Sequence, residues 1–169
     1  MSEATNFLKL VEERLANSQF HISRGVALPG GVPVGLVASR TYFSRSGFSY
    51  VSQHLLVAGR EHVTADDLQS LFDAGFKYAK SVNRLPLFRG MLFGYQIMPC
   101  IAATVVDEAA IEYMRSEPRK RFALIEFPAI HDLSSGQTHY YRGSAVWGGL
   151  YFAEMKAVVR QFVEGDGRA

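Results

Sequence analysis

Apolar and polar positions recur along this chain with two periods, and the period switches from segment to segment. Across residues 5 to 16, Phe7, Leu8, Val11 and Leu15 share one side of a 3.6-residue wheel with Lys9, Glu12 and Glu13 opposite, which predicts an amphipathic helix over a sheet. From Phe20 to Leu28 the period falls to two. Phe20, Ile22, Val26 and Leu28 alternate with His21, Ser23 and Gly25 as in a half-buried strand, and Arg24 interrupts the apolar parity. Pro29, Gly30, Gly31 and Pro33 predict a turn, followed by a return strand from Val34 to Phe43. A second reversal at Ser44 to Gly47 leads to a third strand from Tyr50 to Ala58, which completes an antiparallel meander.

Thr64 with Asp67 three residues on is an N-terminal capping signal, and Leu68, Leu71, Phe72, Gly75, Ala79 and Val82 follow at helical spacing to about Asn83. After Pro86, Met91 to Val106 reads as an extended apolar run that Pro99 is expected to divide into two pieces. Asp107 is placed to cap a short helix through Met114, and Pro118 stops it. Phe122 to Arg142 reads as a second hairpin turning at Ser134, Ser135 and Gly136. A last helix spans 146 to 163 with Trp147, Tyr151, Met155, Val158 and Phe162 on one face. The order αβββαβαββα predicts a single α+β domain over residues 1 to 169, with a largely antiparallel sheet layered with helices.

Length and cysteine content fit that picture. A chain of 169 residues supports one core without staples, and a lone Cys100 rules out an intramolecular disulfide. With no basic-apolar leader at its start, the chain is expected in a reducing cytoplasm. No uninterrupted apolar run approaches the ~20 residues of a membrane-spanning helix, so no membrane is expected among its partners.

Charge is segregated. Residues 14 to 60 contain no Asp or Glu but carry Arg14, Arg24, Arg40, Arg45 and Arg60, so this stretch is strongly positive within a net charge of only +2. Arginine suits bidentate recognition of phosphate or carboxylate. Arg24, Arg40 and Arg45 are therefore candidate anion-binding residues, with an anionic ligand, nucleic acid or an acidic protein as the class of partner. The competing reading is that they are solvated strand edges.

Candidate chemistry is concentrated in the second hairpin. Glu126, His131, Asp132 and His139 lie close in sequence there, and His131 and His139 could oppose each other across a turn near Ser135 as ligands to a divalent metal. Asp132 also suits turn initiation. Glu126 interrupts an apolar strand, so it must face solvent, pair, or remain protonated in a pocket. No phosphate-cradling loop occurs, because Gly30 and Gly31 lie between two strands rather than before a helix, and there is no G-x-S-x-G elbow.

The first six elements, residues 5 to 106, resemble in their order the core of the restriction-endonuclease-like proteins, the PD-(D/E)xK family. The resemblance implies a divalent ion held by an aspartate on the second strand and a Glu-x-Lys on the third. This chain has Val34-Gly35-Leu36-Val37 and Val51-Ser52-Gln53-His54-Leu55 there instead. Without the acids, and with Gln53 at most a neutral metal ligand, the resemblance implies a non-cleaving relative. Two function classes follow. One is a non-catalytic binding or assembly domain, with self-association favoured by 48% hydrophobic and 12% aromatic content. The other is a metal-dependent hydrolase centred on residues 126 to 139.

Overall fold

The structure is a computed structural model that describes residues 2–45, 47–83, 92–116, 118, 120–143 and 149–165. Helix α1 (Glu3–Leu15) begins where Ser2 accepts a hydrogen bond from the Thr5 amide, and it buries Phe7, Val11 and Leu15. Strands β1 (His21–Leu28), β2 (Val32–Ser44) and β3 (Ser49–Val63) form the expected antiparallel meander. Helix α2 (Ala65–Val82) opens on a complete capping box, with the Asp67 amide donating to the Thr64 hydroxyl and the Thr64 amide donating to the Asp67 carboxylate. Each feature matches its sequence signal. The expected break at Pro86 lies outside the described residues, as do Met91, Trp147 and the Val146–Gly148 start of the last helix.

Strand β4 (Phe93–Val106) departs from expectation. It runs unbroken through Pro99, although proline removes a ladder donor. The reason lies in its second edge. There β4 pairs in parallel with β6 (Leu124–Glu126) up to Ile97 and with β7 (Ala129–Asp132) from Cys100 onward. Pro99 therefore falls at the seam left between β6 and β7 by Phe127 and Pro128, where a missing N–H interrupts neither pairing. The other edge of β4 is parallel to β3 along its length. Antiparallel pairs complete the sheet: β5 (Lys120–Arg121) with β6, and β7 with β8 (Gln137–Tyr140). The expected second hairpin is thus β7–β8 alone, with β6 a separate strand. Helix α3 (Glu108–Arg115) follows β4. Asp107 stands at its N-terminus, but its carboxylate bonds His62 Nε2 at 2.6 Å rather than the helix amides.

Alternation along the strands divides the core in two. On one face, Leu36, Ala38, Leu55, Val57, Met98 and Cys100 pack against α1 and the C-terminal helix. That helix, α4 (Gly149–Val158), continues into a π-helical segment, Val159–Glu164. Arg14 anchors its end by donating to the carbonyls of Phe162 and Val163 at 3.2 and 2.8 Å. On the other face, Val37, Leu56, Ala58, Ile97 and Ile101 pack against α2 and α3. The chain is therefore a mixed sheet between two helical layers.

Gly75 sets how closely α2 approaches the sheet. A Cβ there would collide with Leu56 Cδ1 and lie 3.2 Å from Ile97 Cγ2, and both neighbours are fully buried and cannot yield freely. Gly75→Leu is expected to destabilise the fold by about 1–3 kcal/mol despite leucine's better helix propensity. A urea midpoint that is unchanged or raised would show that the helix is not held this close.

Candidate functional site

Three polar side chains cross the middle of the sheet in register, on the face covered by α1 and α4. Arg40 of β2 is opposite Gln53 of β3, and Gln53 is opposite Gln96 of β4. Both glutamines are buried, at 0% and 1% exposure. The Arg40 guanidinium lies 4.5 Å over the Phe20 ring and 4.9 Å over the Tyr42 ring, so it is held by aromatic faces as well as hydrogen bonds.

The row has a direction that Arg40 imposes. A guanidinium only donates, so the Gln53 atom 2.7 Å from Arg40 Nε is the oxygen Oε1. The Gln53 nitrogen then faces Gln96 at 2.6 Å, and the Gln96 atom that receives it is Oε1. That leaves Gln96 Nε2 turned away from the row, with no hydrogen-bond partner among the described residues. Tyr42 does not answer it. Its single hydroxyl proton goes to the Glu154 carboxylate of α4, an acceptor, while its contact with Gln96 Oε1 is a long 3.4 Å. Burial foremost, then the bond to Glu154, pushes the Tyr42 phenol pKa up, so it remains protonated.

A cavity of about 300 Å³ opens beside Gln96. Ser49, Val51, Gly94, Ile125 and Tyr151 form part of its wall, at the starts of β3, β4 and β6 and the first turn of α4. Phe48 and Leu92, 74% and 64% exposed, stand at its opening. Among the described residues, no side chain lining it carries a charge. The Ser49 and Tyr151 hydroxyls bond each other at 3.0 Å.

The opposite face of the same strands carries a second polar group. His54 Nδ1 lies 2.8 Å from the Ser39 hydroxyl and its Nε2 lies 2.8 Å from the Ser52 hydroxyl, which ties β2 to β3. Both nitrogens are occupied. Burial pushes the His54 pKa down to about 4, which keeps the ring neutral.

The residues expected from sequence to carry chemistry are dispersed. Glu126 is buried on the α3 face and accepts a bond from the Tyr113 hydroxyl at 2.8 Å, so it is not an exposed edge charge. His131 is opposite Thr138 and His139 opposite Ile130, so the two histidines are one position out of register and project to opposite faces. The expected opposition of His131 and His139 therefore does not occur. His131 stacks on Phe7 with ring centroids 4.2 Å apart and bonds the Thr138 hydroxyl at 2.9 Å. Asp132 serves the turn, accepting from the Ser134 and Ser135 amides and hydroxyls. Those bonds outweigh its burial and hold its pKa at about 2. No group of three or more His, Cys, Asp or Glu placed to hold a metal occurs among the described residues.

The three candidate arginines also occupy separate places. Arg24 is engaged by Glu12 of α1. Its register partner Leu36 lies four residues before Arg40 on β2, or about 13 Å along the strand. Arg45 is exposed in the turn after β2. Gln96 and Glu154 escaped sequence reasoning altogether. Gln96 had a visible signal, a polar residue inside the apolar run Phe93–Val106, but its partners depend on register, which a single strand does not disclose.

The neutral His54 makes stability pH-dependent in a defined window. Its ordinary pKa of 6.5 applies in the unfolded chain, so as pH falls from 6.5 towards 4 the unfolded state takes up a proton that the folded state refuses. Stability is complete above that window and is lost through it, by up to about 3 kcal/mol. The urea midpoint is expected to fall between about pH 7 and about pH 4.5, and to fall less in His54→Gln. Equal slopes in the two proteins would refute the assignment, because His131, whose burial shifts it the same way, is common to both.

No protein-family model, no curated protein and no solved structure matches this chain, so the geometry of the amide row and its cavity carries the functional reading.

Proposed function

We propose that this chain is a non-catalytic binding domain that takes a small ligand in the cavity beside Gln96. The observation that carries the reading is that Gln96 lines this cavity while its buried Nε2 has no hydrogen-bond partner among the described residues. A buried donor without an acceptor costs about 1–3 kcal/mol, and a ligand that supplies the acceptor recovers it. The cavity is at the small end of the ~300–1,000 Å³ typical of ligand sites. The restriction-endonuclease-like resemblance is compatible with this reading only as a non-cleaving relative. Where it implies charged oxygens for a metal, the strands offer a guanidinium and two amides already joined by hydrogen bonds.

The test is a set of ¹H–¹⁵N spectra of the full chain, titrated separately with Mn²⁺ and with neutral single-ring fragments. The fragments are expected to shift the Ser49, Gly94, Gln96 and Tyr151 amides, while Mn²⁺ leaves Gln53 and Gln96 sharp. Selective broadening of those two glutamines by Mn²⁺ would instead support a metal site and defeat the non-catalytic reading.

A second reading, an anionic partner on the arginine-bearing sheet, is favoured by one surface feature. Exposed Arg45 shares its turn with Phe43, Phe48 and Tyr50, whose rings meet edge to face at 5.9 and 5.2 Å. Such rings stack on nucleobases while a nearby arginine contacts phosphate. Anisotropy of a labelled single-stranded oligonucleotide is then expected to show binding that weakens with salt and with Arg45→Ala or Phe48→Ala. Absence of binding at low salt would remove this reading.

A further inference from the structure

We infer that the ligand of the Gln96 cavity is an uncharged ring compound bearing a carbonyl-type acceptor, rather than a carboxylate, a phosphate or a plain hydrocarbon. The inference rests on the binding reading above and adds the chemical class.

Three observations define that class. The first is the polarity of the orphan atom. Arg40 fixes Gln53, Gln53 fixes Gln96, and the atom left over is a nitrogen carrying two N–H bonds. Its complement is an acceptor, and a ligand that offers only donors leaves the defect in place. The second is charge. Among the described residues no cationic side chain lines the cavity, and Arg40 is separated from it by the row itself, with its Nε committed to Gln53. An ionised ligand would be desolvated beside neutral amide and hydroxyl groups, at a cost that one amide donor does not offset. A ketone or amide oxygen meets the same donor with far less desolvation.

The third is shape and lining. Val51 and Ile125 contribute apolar surface, Gly94 adds no side chain, and Phe48 and Leu92 extend that surface to the opening. A space of about 300 Å³ suits a small ring system, with its carbonyl directed at Gln96. The Ser49 and Tyr151 pair supplies a second polar point on the wall, since whichever hydroxyl accepts the bond between them keeps its own proton to donate.

The experiment compares three probes of matched shape on the full chain: acetophenone, benzoate and isopropylbenzene. Acetophenone is expected to bind about tenfold more tightly than isopropylbenzene, which lacks the acceptor, and at least about tenfold more tightly than benzoate, which adds the charge. The Gln96 side-chain NH₂ signals should move downfield with acetophenone and stay in place with isopropylbenzene. Gln96→Met should bring the ratio of acetophenone to isopropylbenzene affinities close to one. If that variant does not fold, the NH₂ shift in the unaltered protein decides the matter by itself. Equal binding of acetophenone and isopropylbenzene would overturn the acceptor inference and leave the cavity as a binding site. Tighter binding of benzoate would overturn neutrality. If none of the three perturbs the cavity, and Ile125→Trp, which fills it, changes nothing in their spectra, the binding reading falls with the inference.

Discussion

Strand β4 is covered by helices on both faces and paired on both edges, so every polar atom it carries has to be answered inside the protein. That constraint organises the molecule. It explains why Pro99 sits where the neighbouring strand is interrupted, since a residue with no amide proton fits the seam between β6 and β7. It also explains why Gln96 is drawn into a row with Gln53 and Arg40 instead of reaching water. Against that background an unanswered atom on the same strand is an anomaly. Gln96, which carries it, also lines the cavity, and the proposed binding reading starts from that pairing.

The acid-free stretch from residue 14 to 60 acquires a structural meaning in the fold. Three of its arginines meet groups outside the meander, although Arg40 also bonds Gln53 within it. Arg24 is met by Glu12 on the helix before it, and Arg14 by the carbonyl ends of the last helical segment. Arg40 feels Glu154 of α4, whose carboxylate is bonded to the Tyr42 hydroxyl. Segregation of charge along the chain therefore becomes complementarity between layers. Arg40 in particular is a fixed source of donors that sets the orientation of the two amides beyond it.

Much of this architecture was legible in the sequence, because local periodicity and capping act within a few residues. The 3.6-residue spacing from Phe7 to Leu15, the Thr64–Asp67 box and the turn at Pro29 to Gly31 each encode their element directly. What was not legible depends on which strand lies beside which. Pro99 looked like an interruption because the gap in its neighbour is set by Phe127 and Pro128, almost thirty residues away. His131 and His139 looked opposed because the true register differs by one position, which sends them to different faces. The candidate site was half visible. Gln53 and Arg40 stood out singly, but their continuity with Gln96 exists only across three strands.

Parallel pairing also orders events during synthesis. The meander and α2 are complete by Val82, yet the free edge of β3 is covered only when Phe93–Val106 has emerged and crossed back over α2. Until then the nascent chain displays Val51–Ala58, an uncharged and largely apolar edge with unpaired amides and carbonyls. Such an edge is a template for pairing with other chains. The burial that makes the amide row so well insulated in the finished protein thus leaves the half-made chain most exposed to aggregation just before its central strand arrives.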